Sequence, residues 1–138
     1  MLAKITVADY MSKRLVTLTP ETDVIAAIEK LLDHKITCAP VLNPQGHLLG
    51  MFSEKDGMKV FLESVYNLGM SGKVGDFMTT DTLSIEAESS IVDLAEKFQP
   101  STVRSFPVFQ DGELVGIISR TDVLKALVAV SATQKLVI

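Results

Sequence analysis

The sequence predicts an α/β (α+β) fold made of two β-α-β-β-α repeats that pack sheet to sheet about a pseudo-twofold axis. Its 138 residues are 47% hydrophobic and 22% charged, which is the composition of a folded globular protein. The same sequence signals recur in the same order in both halves, and each half shows the same succession of apolar runs and amphipathic stretches. One such repeat leaves a sheet face bare, so two repeats can cover each other and leave a cleft on either side of the axis.

Internal repetition divides the chain into two parts. The paired segments, with their spacing in residues, are 7–11 and 74–78 (67), 17–21 and 82–86 (65), 40–41 and 107–108 (67), and 46–59 and 112–125 (66). The pairing at a spacing of 65 sets Ile85 opposite Pro20 and Thr82 opposite Thr17. We therefore predict a first repeat at residues 1–66 and a second at residues 67–138.

Each repeat is predicted to begin with a strand and an amphipathic helix. The β-prone runs are residues 15–18 and 82–85. Apolar residues at helical spacing follow, from Val24 in the first repeat and from Ile91 in the second. Ser90 and Asp93 form a capping-box pattern at the start of the second of these helices.

A hairpin and a closing helix complete each repeat. The apolar runs of the hairpins are residues 39–42 with 48–52 and residues 106–109 with 114–118. Asp111-Gly112 is a strong signal for a tight hairpin turn. The closing helices are predicted from residue 54 to about 66 and from residue 120 to about 129, and the breaker-rich residues 67–73 connect the repeats.

The most informative residues lie where the last strand of each repeat turns into the closing helix. An apolar-Gly-apolar-apolar-Ser-x-x-Asp pattern ends in Ser53 and Asp56 and recurs with Ser119 and Asp122. A glycine within a strand marks the close approach of another group to the backbone. The serine and aspartate are typical of a capped helix start, and they can also bind a vicinal diol such as a ribose, with phosphate near the helix N-terminus. The two interpretations are compatible.

This duplicated pattern resembles the cystathionine-β-synthase (CBS) domain. It follows a Pro-Val strand and a turn glycine, and each repeat opens on a Val-x-Asp-aromatic-Met segment, as in that family. The resemblance spans residues 7–127 and implies a stand-alone tandem CBS pair. Such a pair is a regulatory module, not an enzyme, and binds AMP, ADP, ATP or S-adenosylmethionine in its two clefts. CBS pairs commonly form dimers through their closing helices.

The resemblance also implies roles for individual residues. The ribose-binding residues would be Ser53, Asp56, Ser119 and Asp122, and the adenine-pocket residues would be Thr17, Cys38, Thr82 and Ser105. Arg104 and Arg120 predict a phosphate-binding site in the second repeat, because guanidinium groups bind phosphate through paired hydrogen bonds. The matching residues of the first repeat are Thr37 and Glu54, so the second repeat is expected to prefer the more anionic ligand. The alternative is that both arginines point to solvent or pair with acidic residues.

Composition excludes several other classes of function. A net charge of −4 argues against nucleic acid as a partner. Cys38, His34 and His47 are too few for a metal site of the usual kinds, and neither a catalytic motif nor a required cofactor is predicted. The N-terminus lacks the pattern of a signal peptide and no stretch is apolar enough to span a membrane, so we expect a cytoplasmic protein.

Two expectations concern partners. The closing helices carry more apolar residues than one small domain can cover, so a homodimer is predicted; these residues are Met58, Phe61, Leu62, Leu124, Leu127 and Val128. The identity of an effector protein is not encoded in any recognisable motif. The alternative function is a structural or dimerisation module whose clefts no longer bind ligand.

Overall fold

The computed structural model describes residues 4–67 and 72–137, which form two compact units. The first, here called the central unit, comprises the described residues of Val16–Thr82. The second, here called the terminal unit, comprises the described residues before Val16 and after Thr82. We call residues 7–11 and 74–78 the leading segments of the two repeats. Each unit therefore contains the hairpin and closing helix of one repeat together with the leading segment of the other repeat.

The central unit is built around a two-stranded antiparallel sheet. Its elements are α2 (Val24–His34), β1 (Cys38–Leu42), β2 (Leu48–Ser53), α3 (Glu54–Asn67) and α4 (Val74–Phe77). Asp23 caps α2, because its Oδ2 accepts hydrogen bonds from the backbone N–H groups of Ile25 and Ala26 at 3.1 and 3.2 Å. The helix ends at Lys35 in a left-handed conformation. The core contains Leu18, Ala27, Leu31, Ala39, Val41, Phe52 and Val74.

The terminal unit contains a three-stranded sheet. Its elements are α1 (Val7–Tyr10), β3 (Ile85–Glu86), α5 (Ile91–Phe98), β4 (Ser105–Gln110), β5 (Glu113–Ser119) and α6 (Arg120–Val137). The strand order is β3-β4-β5, with β3 parallel and β5 antiparallel to β4. Asp111 and Gly112 both have positive φ, which confirms the predicted tight turn. The core contains Val7, Ile85, Ala87, Ile91, Leu94, Phe98, Phe106, Val108, Ile118 and Ala126.

Both hairpins and the helices that flank them confirm the sequence prediction to within one or two residues, apart from the end of α6. The predicted end of that helix near residue 129 is wrong, since α6 continues to Val137. No Gly or Pro follows Gly116 in the sequence, so nothing there stops the helix. The short helices α1 and α4 were predicted only as leading segments. Within the predicted connector, residues 68–71 lie outside the described residues.

The first strand of each repeat is shorter than predicted. In the first repeat, residues 15–18 contribute one parallel bridge, between Leu18 and Val41, instead of a strand. In the terminal unit the strand begins at Ile85, where the prediction began it at residue 82. Ile85 pairs with Val108, which is the counterpart of Val41 in the other repeat. Leu18 and Ile85 are therefore equivalent positions.

This register corrects the predicted pairing of residues 17–21 with 82–86. Thr17 corresponds to Ser84, not to Thr82, and Pro20 corresponds to Ala87, not to Ile85. The lysine contacts agree, because Lys30 Nζ donates to the Thr17 carbonyl at 2.9 Å and Lys97 Nζ donates to the Ser84 carbonyl. The spacing of the two repeats is thus 67 residues through the first strand and the first amphipathic helix.

Candidate functional site

The strand glycines mark a close approach of the chain to itself. A Cβ on Gly50 would lie 2.6 Å from the Thr79 carbonyl oxygen, and a Cβ on Gly116 would lie 2.6 Å from that of Ser12. Thr79 exchanges two backbone hydrogen bonds with Met51, at 2.8 and 2.9 Å. Each leading segment is therefore paired with the last strand of a hairpin, just before the strand turns into its helix.

The turn from strand to helix has the same reciprocal hydrogen bonds in both units. The backbone N–H and the Oγ of Ser53 donate to Asp56 Oδ2 at 2.9 and 3.0 Å, and the Asp56 N–H donates to Ser53 Oγ at 3.2 Å. The Ser119–Asp122 pair repeats these bonds at the same distances. We call the two turns the Asp56 corner and the Asp122 corner. The predicted helix caps are confirmed.

The hairpin register brings two predicted pocket residues to the corners. Cys38 lies opposite Ser53 in the ladder of β1 and β2, and Ser105 lies opposite Ser119 in that of β4 and β5. Both Cys38 and Ser105 are half-buried. Each corner thus combines a capped helix N-terminus with a neighbouring strand end.

The other two predicted adenine-pocket residues are placed differently. The carbonyl of Thr17 accepts the Lys30 ammonium, as described above. Thr82 is the last residue of the central unit, and Ser84 holds the position equivalent to Thr17 in the terminal unit. A role for Thr82 stays a prediction based on a pairing that the strand register does not support.

The surroundings of the two aspartates differ. Asp56 is 1% exposed, and its Oδ1 accepts from Lys59 Nζ at 3.1 Å and from Thr79 Oγ1 at 3.1 Å. Asp122 is only partly buried, and its Oδ1 has no hydrogen-bond or ion-pair partner among the residues described. The Asp122 corner therefore offers a carboxylate oxygen that the Asp56 corner does not.

The two arginines of the terminal unit also differ from each other. Arg120 donates from Nε to the Val103 carbonyl at 3.1 Å and from Nη2 to the Ser101 carbonyl at 3.2 Å. Its side chain thus fastens the segment that leads into β4. Arg104 is exposed, and within the described part of the chain its guanidinium has no hydrogen-bond or ion-pair partner. Neither arginine pairs with an acidic side chain in that part.

Sequence reasoning missed Lys59 and Thr79 as residues of the site. Lys59 lies three residues after Asp56 on α3, a spacing that places the two side chains on one helix face and could have predicted the contact. Thr79 lies 23 residues from Asp56 along the chain. Only the pairing of the leading segment with β2 brings it there, and no local pattern encodes that pairing.

The described residues contain neither a candidate metal site nor a candidate membrane-spanning helix. Across residues 4–67 and 72–137, His, Cys, Asp and Glu side chains form no group of three that could hold a metal ion. Among the helices that the structure describes, none combines the length and apolarity needed to cross a membrane.

The family model of the CBS domain matches this chain twice, at residues 7–63 and 74–129. The chain belongs to the CBS domain family. Both corners lie inside the matched segments, and the tandem arrangement of two CBS domains agrees with the resemblance seen in the sequence.

Several proteins of known sequence or structure are similar to this chain. The uncharacterized protein MJ1225 of Methanocaldococcus jannaschii is 28% identical over 88% of this chain, and CBSX1 of Arabidopsis thaliana is 30% identical over 88%. This chain spans 42% of the length of MJ1225 and 63% of the length of CBSX1. A crystal structure of CBSX2 in complex with AMP has 29% identity and a TM-score of 0.79, over 92% of this chain and 98% of that one.

Proposed function

We propose that this CBS pair is a regulatory module that binds an adenosine-containing ligand, and that the Asp122 corner binds its ribose. The observation that carries the proposal is that Asp122 Oδ1 has no hydrogen-bond or ion-pair partner among the described residues, while Oδ2 is held by Ser119. The likeness to CBSX2, which was crystallised with AMP, supports the choice of ligand class. The module would transmit the effect of ligand binding to an effector protein, whose identity is unknown.

The chemistry of the Asp122 corner suits a ribose. A carboxylate can accept about four hydrogen bonds, and Asp122 uses two of them, both on Oδ2, for the N–H and Oγ of Ser119. The two that remain on Oδ1 match the two hydroxyl donors of a vicinal diol. Because Ser119 holds the carboxylate in place, ligand binding costs little side-chain entropy. The N-terminus of α6, an 18-residue helix, favours a phosphate nearby.

Arg104 is the residue that we assign to the phosphate, with Arg120 positioning the segment that carries it. We expect Arg104→Ala to weaken AMP binding about five- to tenfold and to leave adenosine binding unchanged, because only AMP has a charge for the guanidinium to pair with. Calorimetric titration of both ligands measures this. Lys13→Ala removes another exposed positive charge of the terminal unit and serves as the control. If Arg104→Ala binds AMP as tightly as the parent does, the phosphate lies elsewhere.

The finer predictions on ligand, partner and location remain part of this proposal. AMP is the first ligand to test, followed by ADP, ATP and S-adenosylmethionine. No further cofactor, catalytic activity, nucleic acid or membrane is assigned, and a cytoplasmic location stays a prediction. The alternative, a structural or dimerisation module without ligand, predicts that no adenosine compound binds.

A homodimer through the closing helices is also proposed. Large apolar side chains on α3 and α6 are exposed by half or more: Met58, Phe61, Leu62, Val65, Tyr66, Leu124, Leu127 and Val128. These side chains lie on the closing helix of each repeat, so two copies of the chain can bury them against each other. Light scattering that gives the 15.0 kDa of a single chain at all concentrations would contradict the dimer.

Binding of adenosine and of 2′,3′-dideoxyadenosine tests the proposed function. We expect adenosine to bind and the dideoxy compound to bind at least about tenfold more weakly, because it lacks both hydroxyl donors. Adenosine at about 100 times its dissociation constant should add about 2.7 kcal/mol to the free energy of unfolding. If AMP, adenosine and S-adenosylmethionine all leave thermal unfolding unchanged at millimolar concentration, the alternative without ligand is the better description.

A further inference from the structure

Asp56 has no acceptor capacity left for a ligand. Its carboxylate accepts from four donors: the N–H and Oγ of Ser53, the ammonium of Lys59 and the hydroxyl of Thr79. Four is about the number that one carboxylate can accept. At 1% exposure, Asp56 is also closed to solvent.

We infer that Lys59 and Thr79 act as an internal substitute for the ligand, keep the Asp56 corner closed to a ribose, and so restrict the chain to one open adenosine site. This inference rests on the proposed function of the Asp122 corner and deepens it. A diol can donate both of its hydroxyls to Asp56 Oδ1 only after both donors have left that oxygen, and one hydroxyl can donate once either donor has left. Which of the two repeats binds the ligand then depends on Lys59 and Thr79, not on the Ser-x-x-Asp motif that the repeats share.

The contacts of Lys59 and Thr79 are not simple consequences of the motif. The terminal unit has Lys125 and Ser12 at the equivalent positions, and in the described part of the chain neither forms a hydrogen bond or an ion pair with Asp122. Thr79 reaches both oxygens of Asp56, at 3.1 and 3.4 Å. The Lys59 side chain is 51% exposed, so it can leave the carboxylate without burying its charge elsewhere.

Opening the closed corner by mutation tests this inference. Lys59→Met and Thr79→Val together remove both donors with little change in side-chain size. We expect calorimetry to find one adenosine per chain in the parent and two in the double variant. The matched control, Lys125→Met with Ser12→Ala, changes the equivalent residues of the terminal unit and should keep one adenosine per chain.

The same substitutions made in the Asp122→Asn variant test this inference separately from the proposed function. Asp122→Asn should weaken the single site about 10- to 100-fold, and adding Lys59→Met and Thr79→Val to it should restore one tightly bound adenosine per chain. A parent that binds one adenosine, with no second site in the double variant, overturns the closed corner and leaves the proposed function standing. A parent that binds two equivalents also overturns it. If the parent binds no adenosine, the proposed function fails. Adenosine binding by the double variant would then still support the closed corner. If the double variant also binds none, both the proposed function and the closed corner are overturned.

The variants can be checked for folding before they are titrated. Lys59→Met alone changes a half-exposed side chain, and we expect its thermal unfolding midpoint to stay within a few degrees of the parent's. This single variant already removes one of the two hydrogen-bond donors to Asp56 Oδ1. The affinity for adenosine is then compared between the Asp122→Asn variant and the same variant with Lys59→Met added. Binding that is at least tenfold tighter with Lys59→Met supports the inference, even if Thr79→Val does not fold. No gain in that measurement counts against it.

Discussion

Asp122→Asn is expected to weaken AMP binding by about 10- to 100-fold while the protein stays folded. The amide has one acceptor oxygen, which the N–H and Oγ of Ser119 already need. It also lacks the negative charge that strengthens hydrogen bonds from hydroxyl donors. Hydrogen bonds to a charged group contribute about 1.5–3 kcal/mol, which corresponds to the stated range of affinity. Ser119 is the N-cap residue, and its Oγ still accepts from the backbone N–H of residue 122 in this variant, so the start of α6 should persist.

Calorimetric titration with AMP measures the effect of Asp122→Asn. Asp93→Asn is the matched control, because Asp93 follows the capping residue Ser90 by three positions, as Asp122 follows Ser119. It removes the same charge from the same place in a different helix of the same unit. If Asp122→Asn and Asp93→Asn both bind AMP within twofold of the parent, the ribose does not contact Asp122.

Asp56→Ala is expected to lower the free energy of unfolding by about 2–4 kcal/mol, and Asp122→Ala by only about 1 kcal/mol. Both variants lose the aspartate side of the reciprocal capping bonds and keep the serine side. Asp56→Ala also removes a carboxylate that is 1% exposed and accepts from four donors, so it loses more charge-assisted hydrogen bonds than Asp122→Ala does. The ion pair with Lys59 adds little, because the Lys59 side chain is half-exposed.

Urea unfolding of the two alanine variants, without ligand, gives the comparison. The variants form a matched pair because the Ser–Asp bonds of the two corners have the same lengths. Any difference in stability then reports the contacts of Lys59 and Thr79 and the burial of Asp56. Equal losses in the two variants would mean that those contacts do not hold in solution.

Local patterns were sufficient to predict the parts of the site that lie close together in the sequence. Asp111-Gly112 predicted a tight hairpin turn, and the Ser-x-x-Asp pattern predicted the capped helix starts. Both depend on interactions between residues at most three positions apart. The strand glycines also predicted a close approach, although the sequence could not show that the approaching group is the carbonyl of Ser12 or Thr79.

The register of the first strands was predicted wrongly because it depends on distant pairing. Residues 17–21 and 82–86 both begin with Thr-Leu and end in Glu, and this chance likeness suggested a spacing of 65. The structure aligns Leu18 with Ile85 instead, because each pairs with the equivalent valine of its own hairpin. Two buried side chains, not the shared threonines, determine the register.

The difference between the two corners was predicted only in part. The sequence shows the same serine, aspartate and lysine in both repeats, and it located the difference in the arginines of the second repeat. Among the residues that the structure describes, the clearest difference is that the Asp56 carboxylate has four hydrogen-bond donors and the Asp122 carboxylate has two. That difference arises from tertiary contacts, which no alignment of one repeat with the other contains.

A crystal structure of the chain with AMP tests the central claim most directly. We expect both ribose hydroxyls within about 3 Å of Asp122 Oδ1. We also expect Asp56 to keep its contacts with Lys59 and Thr79. An AMP molecule whose ribose is held by Asp56, or by neither aspartate, would contradict the claim.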